Sequence, residues 1–456
     1  MSFIGDIFNS IEKTLVGAVK AGVNDALGSM SPNNKTPGKD ILPGDIDIQR
    51  IILANEAGTK TYDLMHQVKG IEIYESILSP VVFCELVIAD SVGLHQNFPI
   101  IGEEYVSITF RSPKFPKTVT YLFRVNMKSN LKFTENNKMA TYTLQLMSPE
   151  VVKNSTRYVT KNYENTVDHL VEQILATELQ TIKPVRVDKT AGIEKGRITR
   201  MQPFKAIDYL RRRAISNEYQ SSSFCFFENR NGYHFTTIEK MIEDGNKALD
   251  KTKTSNKTFF FDTNRKGSVR DVTQRNILAY NQLAFTDTVT KLQQGGLNNK
   301  VNAFDLLTGG VEQRTYDNTA GEGIFAKPDE NSAPMNTQAF TNNHKRTTAK
   351  TKFIVTTSDK PQLKLPEKLS ILQAYAQKVS QNIVLIHIYG DSDITVGDMI
   401  KCSFPSATTA NNDKGISRLD SGNYLVAKVR HMITNGDRPQ HTMALELIKG
   451  SLTEVA

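Results

Sequence analysis

At 456 residues the chain is too long for a single hydrophobic core and implies two to four domains. Apolar residues at 39% and charged ones at 23% fit a globular protein, and a net charge of +8 is too mild for a dedicated nucleic-acid binder. Three cysteines with no CxxC exclude a disulfide framework and a thiolate zinc site, and no apolar run reaches the 18 residues of an ordinary transmembrane helix.

The chain opens on an amphipathic pattern. Ile4, Ile7, Phe8, Ile11, Leu15, Val19 and Val23, with Ala26, recur at three- and four-residue steps, which predicts a helix over residues 1–30 whose stripe, Ile4 to Ala26, is about 35 Å long. That stripe must be buried, and docking on its own protein or on a partner subunit is the expected use. Asp6, Glu12 and Asp25 dilute the basic character that a membrane-surface helix needs, so no stable membrane association is expected. Residues 31–43 read as a linker. The N-terminus lacks the charged start and apolar block of a signal peptide, so folding in a reducing cytoplasm is expected.

From 44 to 150 the apolar period switches to two. Val106, Ile108 and Phe110 alternate with Tyr105, Ser107 and Thr109, and Tyr142, Leu144 and Leu146 repeat the pattern, which predicts an antiparallel sandwich or barrel. Helical spacing returns over 151–245. Val167, Leu170, Val171, Ile174 and Leu175 form one stripe; Phe204, Ile207, Leu210 and Ala214 form a second after Pro203. Phe224–Phe227 and Tyr233–Thr237 flank the turn Asn229-Arg230-Asn231-Gly232, a hairpin signal that completes an α/β module. Residues 246–257 read as a second linker. Strand patterns follow over 258–316 and 383–456, interrupted by an insertion at 317–382 with a mobile loop (317–350) and a helix at 367–381.

The search for chemistry finds no constellation. HExxH, GxSxG and Walker patterns are absent. His431 and His441 are spaced to face each other across a hairpin, with no third ligand at a diagnostic spacing. Glu103 and Glu104, read as neighbours on a strand, would point to opposite faces and cannot act as a pair. In 251–275, Lys251, Lys253, Lys257, Arg265, Lys266, Arg270 and Arg275 against Asp262 and Asp271 leave five net positive charges, read as a solvated face or subunit contact. Arg211, Arg212 and Arg213 are expected to pair with acidic neighbours. No enzyme activity and no cofactor are expected.

Four stretches in order resemble the central baseplate hub family of contractile-tailed, T-even-like phages, a family related to the hub part of type VI secretion spikes. They are Phe98-Pro-Ile-Ile-Gly-Glu-Glu-Tyr-Val-Ser-Ile-Thr-Phe110, the helix segment Met201–Ser216, the hairpin Ser223–Phe235, and the C-terminal pair Val396-Gly-Asp-Met-Ile400 with Ser421-Gly-Asn-Tyr-Leu-Val426 and Val429-Arg-His431. The stretches run from Phe98 to His431, and the resemblance in order and spacing extends across residues 44–450, leaving out the N-terminal stripe and the loop at 317–350.

The resemblance implies an α+β, β-rich fold: two tail-tube-like antiparallel β-barrel domains (44–150, and 258–316 with 383–456), an intervening α/β module and the N-terminal amphipathic helix. It implies a homotrimer forming a pseudo-sixfold ring that joins the hexameric tail tube to the trimeric central spike, with DNA present only in transit. Wedge or tape-measure proteins are further implied contacts, and the virion baseplate, assembled in the host cytoplasm, is the implied location. Alternatives are the hub of a type VI or extracellular injection machine, a tail-associated peptidoglycan-degrading enzyme, and a host-binding adhesin. The chain reaches Ala456 without spike repeats, which favours the phage hub over the type VI version.

Overall fold

The period-two stretches of the sequence become the strands of one large sheet. In a computed structural model, the described residues are 42–453 except 99, 114–117, 134–138, 220, 252–256, 262–273, 286–297, 307, 318–331, 335–349, 357–381, 406–416, 418–419 and 450. The expected N-terminal helix and the helix at 367–381 lie outside them, as does most of the expected loop at 317–350.

The first part of the chain supplies β1 (Asp47–Ala54), β2 (Thr61–Asp63), β3 (Val68–Ser76), β4 (Phe83–Asp90), the single turn α1 (Leu94–Asn97), β5 (Tyr105–Arg111), β6 (Val119–Phe133) and β7 (Ala140–Met147). Alternation sets their faces. Along β7, Tyr142, Leu144 and Leu146 are buried, while Thr141, Thr143 and Gln145 between them are not. Each buried side chain of this size contributes about 1.5–3 kcal/mol. Glu103 and Glu104 precede β5 rather than lying on a strand. Glu104 is buried because its carboxylate accepts the amides of Ile101 and Gly102, which turns it into the loop.

The middle of the chain forms α2 (Glu150–Thr156), β8 (Val159–Asn165), α3 (Val167–Ile174, continued by one wider π-type turn to Leu179), β9 (Val185–Val187), β10 (Glu194–Met201), α4 (Pro203–Arg211), β11 (Phe224–Asn229), β12 (Gly232–Thr237) and α5 (Ile238–Lys251). The two helical stripes meet here: Val167, Leu170, Val171 and Ile174 share a core with Ala206, Ile207, Leu210, Phe224 and Phe235. Ala214 lies beyond the end of α4 but is buried in the same core. Arg211 and Arg212 pair with Asp208 at 2.7 Å each, and Arg213 sits 3.7 Å over the Tyr209 ring.

The expected linker at 246–257 is helical through Lys251. Ile238 and Met241 are buried and Ile242 and Leu249 pack beside them, so the stripe continues through a polar-looking segment. Gly245 lets the helix lie close: a Cβ there would meet the Met399 side chain at 2.2 Å.

The remainder gives β13 (Thr258–Phe260), β14 (Ile277–Phe285), β15 (Asn298–Asp305), β16 (Val311–Asp317), β17 (Ser332–Pro334), β18 (Lys350–Thr356), β19 (Asn382–Tyr389), β20 (Met399–Ser403), β21 (Gly422–Thr434), β22 (Gln440–Ile448) and β23 (Ser451–Thr453). The large sheet runs β14-β19-β22-β21-β3-β4-β7-β6-β5-β1-β2, with β20 on β21 and β13 on β20. All pairs along that main run are antiparallel. It joins the first and last parts of the chain through β3 and β21, which pair from Lys428↔Ser76 to Thr434↔Gly70. Two barrels were expected; among the described residues the pairing is one open sheet in two halves, β14 at one end and β2 at the other. A single bridge, Asp45 to Gln440, brings the chain before β1 back to the start of β22.

Candidate functional site: the free face of the large sheet

Register across the sheet decides which side chains share its uncovered face. One row reads Tyr389, Thr442, Met432, Glu72, Glu85, Gln145 and Met127 from β19 to β6. The next reads His387, Ala444, Arg430, Tyr74, Phe83 and Met147. Every one of these is at least partly exposed, whereas the alternating residues, such as Ile71, Ile73, Leu86, Leu144, Met443 and Leu445, are buried in the cores. A sheet covered on one side only produces this alternation.

The charges on this face are matched across strands. Arg430 donates to Glu72 at 2.7 Å and lies 5.4 Å from the Tyr74 ring centroid. Tyr74 donates its hydroxyl to the same carboxylate; burial and then that bond push the Tyr74 phenol up to about 12. Lys428 pairs with Glu446 at 2.8 Å, and Gln145 donates to Glu85 at 3.5 Å. A surface built this way is polar yet offers little uncompensated positive charge to a phosphate backbone.

Beneath the face, the seam between the two halves is fixed by buried polar groups. Glu75 accepts hydrogen bonds from the Tyr121 hydroxyl at 2.9 Å, the Arg230 amide at 3.0 Å and the Thr395 hydroxyl at 2.6 Å. Burial pushes its carboxyl above the ordinary value, although Thr395 and Tyr121 oppose this. One side chain thus ties β3, β6, the β11–β12 turn and the segment before β20 together.

His431 and His441 do face each other, Nδ1 to Nε2 at 3.0 Å, both buried and flanked by Phe110. Burial drives both imidazoles toward the neutral form, His441 down to about 3 and His431 well below its ordinary range. Among the described residues their outer nitrogens, His431 Nε2 and His441 Nδ1, meet no hydrogen-bond partner. Among the described residues no three His, Cys, Asp or Glu side chains are placed to hold a metal. The pair is a packing element of the seam.

A second buried cluster anchors the α/β module. Lys183 reaches Glu150 and Glu228 at 2.6 Å each, and Thr181 donates to Glu150 at 2.9 Å. Burial would raise the Glu150 carboxyl, but the Lys183 charge and its bonds outweigh it and hold the group below its ordinary range.

Ile4, Ile7, Phe8, Ile11, Leu15, Val19 and Val23, the expected partner-binding residues, lie outside the described residues. Sequence reading did not reach the free face, because its pairs, such as Glu72 with Arg430, are separated by 358 positions. Polar residues in the outward phase of β3, β7 and β21 were the available signal.

No family model matches the sequence, and no curated protein matches it. Among solved structures, the chain is similar to the tail protein from Neisseria meningitidis MC58, with a TM-score of 0.53 at 11% identity over 88% of this chain and 96% of that one. It is also similar to the 43 kDa tail protein of prophage MuSo2 from Shewanella oneidensis, with a TM-score of 0.50 at 10% identity over 88% and 99%. The likeness is one of fold: the chain has the β-rich fold of these tail proteins, in agreement with the motifs at Phe98–Phe110 and Met201–Ser216.

Proposed function

We propose that this chain is the central hub of a contractile-tail baseplate, a structural and non-catalytic protein. Each half of the large sheet would form one tube-like barrel wall, and three copies would set six such walls around a channel. A pseudo-sixfold ring of this kind matches a hexameric tube on one side and a trimeric spike on the other. The observation that carries the reading is the continuous antiparallel sheet through β3 and β21, with one face buried and the other free and charge-balanced.

In this reading the free face lines the channel. DNA sliding past Glu72–Arg430 and Lys428–Glu446 would meet cations that are already paired, so few counterions are released and little binding energy holds the strand back. The apolar stripe from Ile4 to Val23 would attach the subunit to a neighbour by laying a helix into a groove. Electron microscopy of the purified chain tests the proposal: class averages should show a ring of roughly sixfold outline around a central hole. Solitary particles at every concentration, with the tube and spike proteins also present, would refute it.

A further inference from the structure

The two-stranded ribbon of the α/β module carries two exposed arginines that no carboxylate among the described residues answers. β8 and β10 pair antiparallel from Glu194↔Asn165 to Met201↔Val159. Val159, Tyr163 and Ile198 point inward and are buried in the core of the module. The outward side is exposed, with Thr160, Asn162 and Glu164 on β8 beside Lys195, Arg197 and Arg200 on β10. Lys195 pairs with Glu164 at 2.9 Å. Arg197 stands opposite Asn162, and the Arg200 guanidinium lies 5.3 Å from the centre of the half-exposed Tyr158 ring. Arginines elsewhere are paired: Arg111 with Asp47, Arg186 with Asp244, Arg430 with Glu72 and Arg438 with Asp45.

The backbone sets the third cation in this row. One extra residue between Ile198 and Met201 forms a bulge, so that Thr199 and Arg200 both stand opposite Thr160. Arg200 takes a φ of 42°, a left-handed conformation that is costly for a residue with a Cβ. Its amide donates to the Thr160 hydroxyl at 3.2 Å, which helps to hold that conformation. Without the bulge the outward phase of β10 would run Lys195, Arg197, Thr199.

We propose that the outward face of the β8–β10 ribbon is a docking site for an extended acidic segment of a partner protein, with Arg197 and Arg200 each holding a carboxylate. Alternate residues of an extended chain recur at about 7 Å, the spacing of Lys195 and Arg197, so carboxylates at every second residue of a bound segment meet the row in step. A guanidinium takes a carboxylate through two parallel hydrogen bonds, which an ammonium cannot do. Nucleic acid fits worse. Strong duplex binding takes about six to ten phosphate contacts, and the Tyr158 ring on which a base would stack is already stacked by Arg200. A symmetric contact between two copies through this face would set the same arginines against each other. β8 and β10 pair with no strand of the large sheet, so a partner on the ribbon does not depend on the ring.

The probe is a fluorescein-labelled peptide alternating glutamate and threonine, followed by anisotropy with the full chain at low salt. Arg197→Gln with Arg200→Gln removes two exposed charges and should weaken the peptide at least about tenfold while leaving far-UV circular dichroism unchanged. Lys60→Gln with Lys69→Gln removes the same charge from exposed positions elsewhere and should change binding less than about twofold. In the wild-type chain the peptide should slow amide exchange along β8 and β10, a readout that needs no variant. Equal losses in the two variants would mean general attraction to a basic protein and overturn the site, as would exchange along β8 and β10 that the peptide leaves unchanged. A short DNA duplex that binds more tightly than the peptide, and is lost with the arginines, would replace the acidic partner with nucleic acid. Wild-type dimers that dissociate when both arginines become glutamine would replace it with a second copy. Either result overturns the choice of occupant.

Discussion

Lys183→Met isolates the electrostatic anchor of the α/β module. The ammonium lies 2.6 Å from both Glu150 and Glu228, whose side chains are 5% and 4% exposed. Their nearest oxygens can therefore be no more than about 5 Å apart, and at an effective dielectric near 20 two charges at that distance repel by roughly 3 kcal/mol. Methionine keeps most of the packing over Tyr233 but removes the compensating charge, and breaking a buried pair in this way costs about 3–5 kcal/mol.

The pH dependence follows from signs. In the wild type the lowered Glu150 value contributes stability above the ordinary carboxyl value of 4.5, lost as pH falls below it. The raised Lys183 value contributes below 10.5 and is lost only as pH rises through the folded-state value above that. In the variant both carboxyls are raised, so the folded state regains stability as they take up a proton on acidification. The deficit should be full at pH 7 and shrink toward pH 4.5. Three cores need not melt together, so the readout is amide exchange in the β11–β12 hairpin rather than a global midpoint. A deficit below about 1 kcal/mol at pH 7, or one equal at both pH values, would refute the argument.

Two further outcomes are expected. Gly390→Ala would place a Cβ 2.0 Å from His441 Nδ1, and the forced shift at the seam should cost at least about 1–3 kcal/mol, visible as a lower urea midpoint. The ring protons of His431 and His441 should not titrate in NMR spectra between pH 5 and 8, because both imidazoles are held neutral. Since their folded values lie below 6.5, each draws the chain toward unfolding as pH drops below 6.5, by up to about 1.4 kcal/mol per unit. A His431 or His441 midpoint near 6.5 would mean that the seam is open to water.

Local chemistry made much of the fold legible. Alternation at Val106–Phe110 and Tyr142–Leu146 located β5 and β7, the Asn229–Gly232 turn located the β11–β12 hairpin, and the stripe from Val167 to Ile174 located α3. The facing of His431 and His441 was legible because both lie near one tight turn. The helical end over 246–251 was hidden because its Asn, Lys and Asp residues resemble a linker, while its apolar stripe is reduced to the partly buried Leu249. The union of the halves through β3 and β21 was not legible. It pairs Tyr74 with Arg430, and no local pattern specifies a partner that distant. The free face was missed for the same reason, since polar residues in the outward phase of a strand do not say which strand lies beside them.

The most direct test of the hub account is the mass of the full chain in solution, measured by light scattering alone and with the trimeric spike of the same tail. The account predicts a species of three 51.0 kDa chains, about 150 kDa before any spike is counted. A particle that holds at 51.0 kDa at every concentration, with or without the spike, would contradict it.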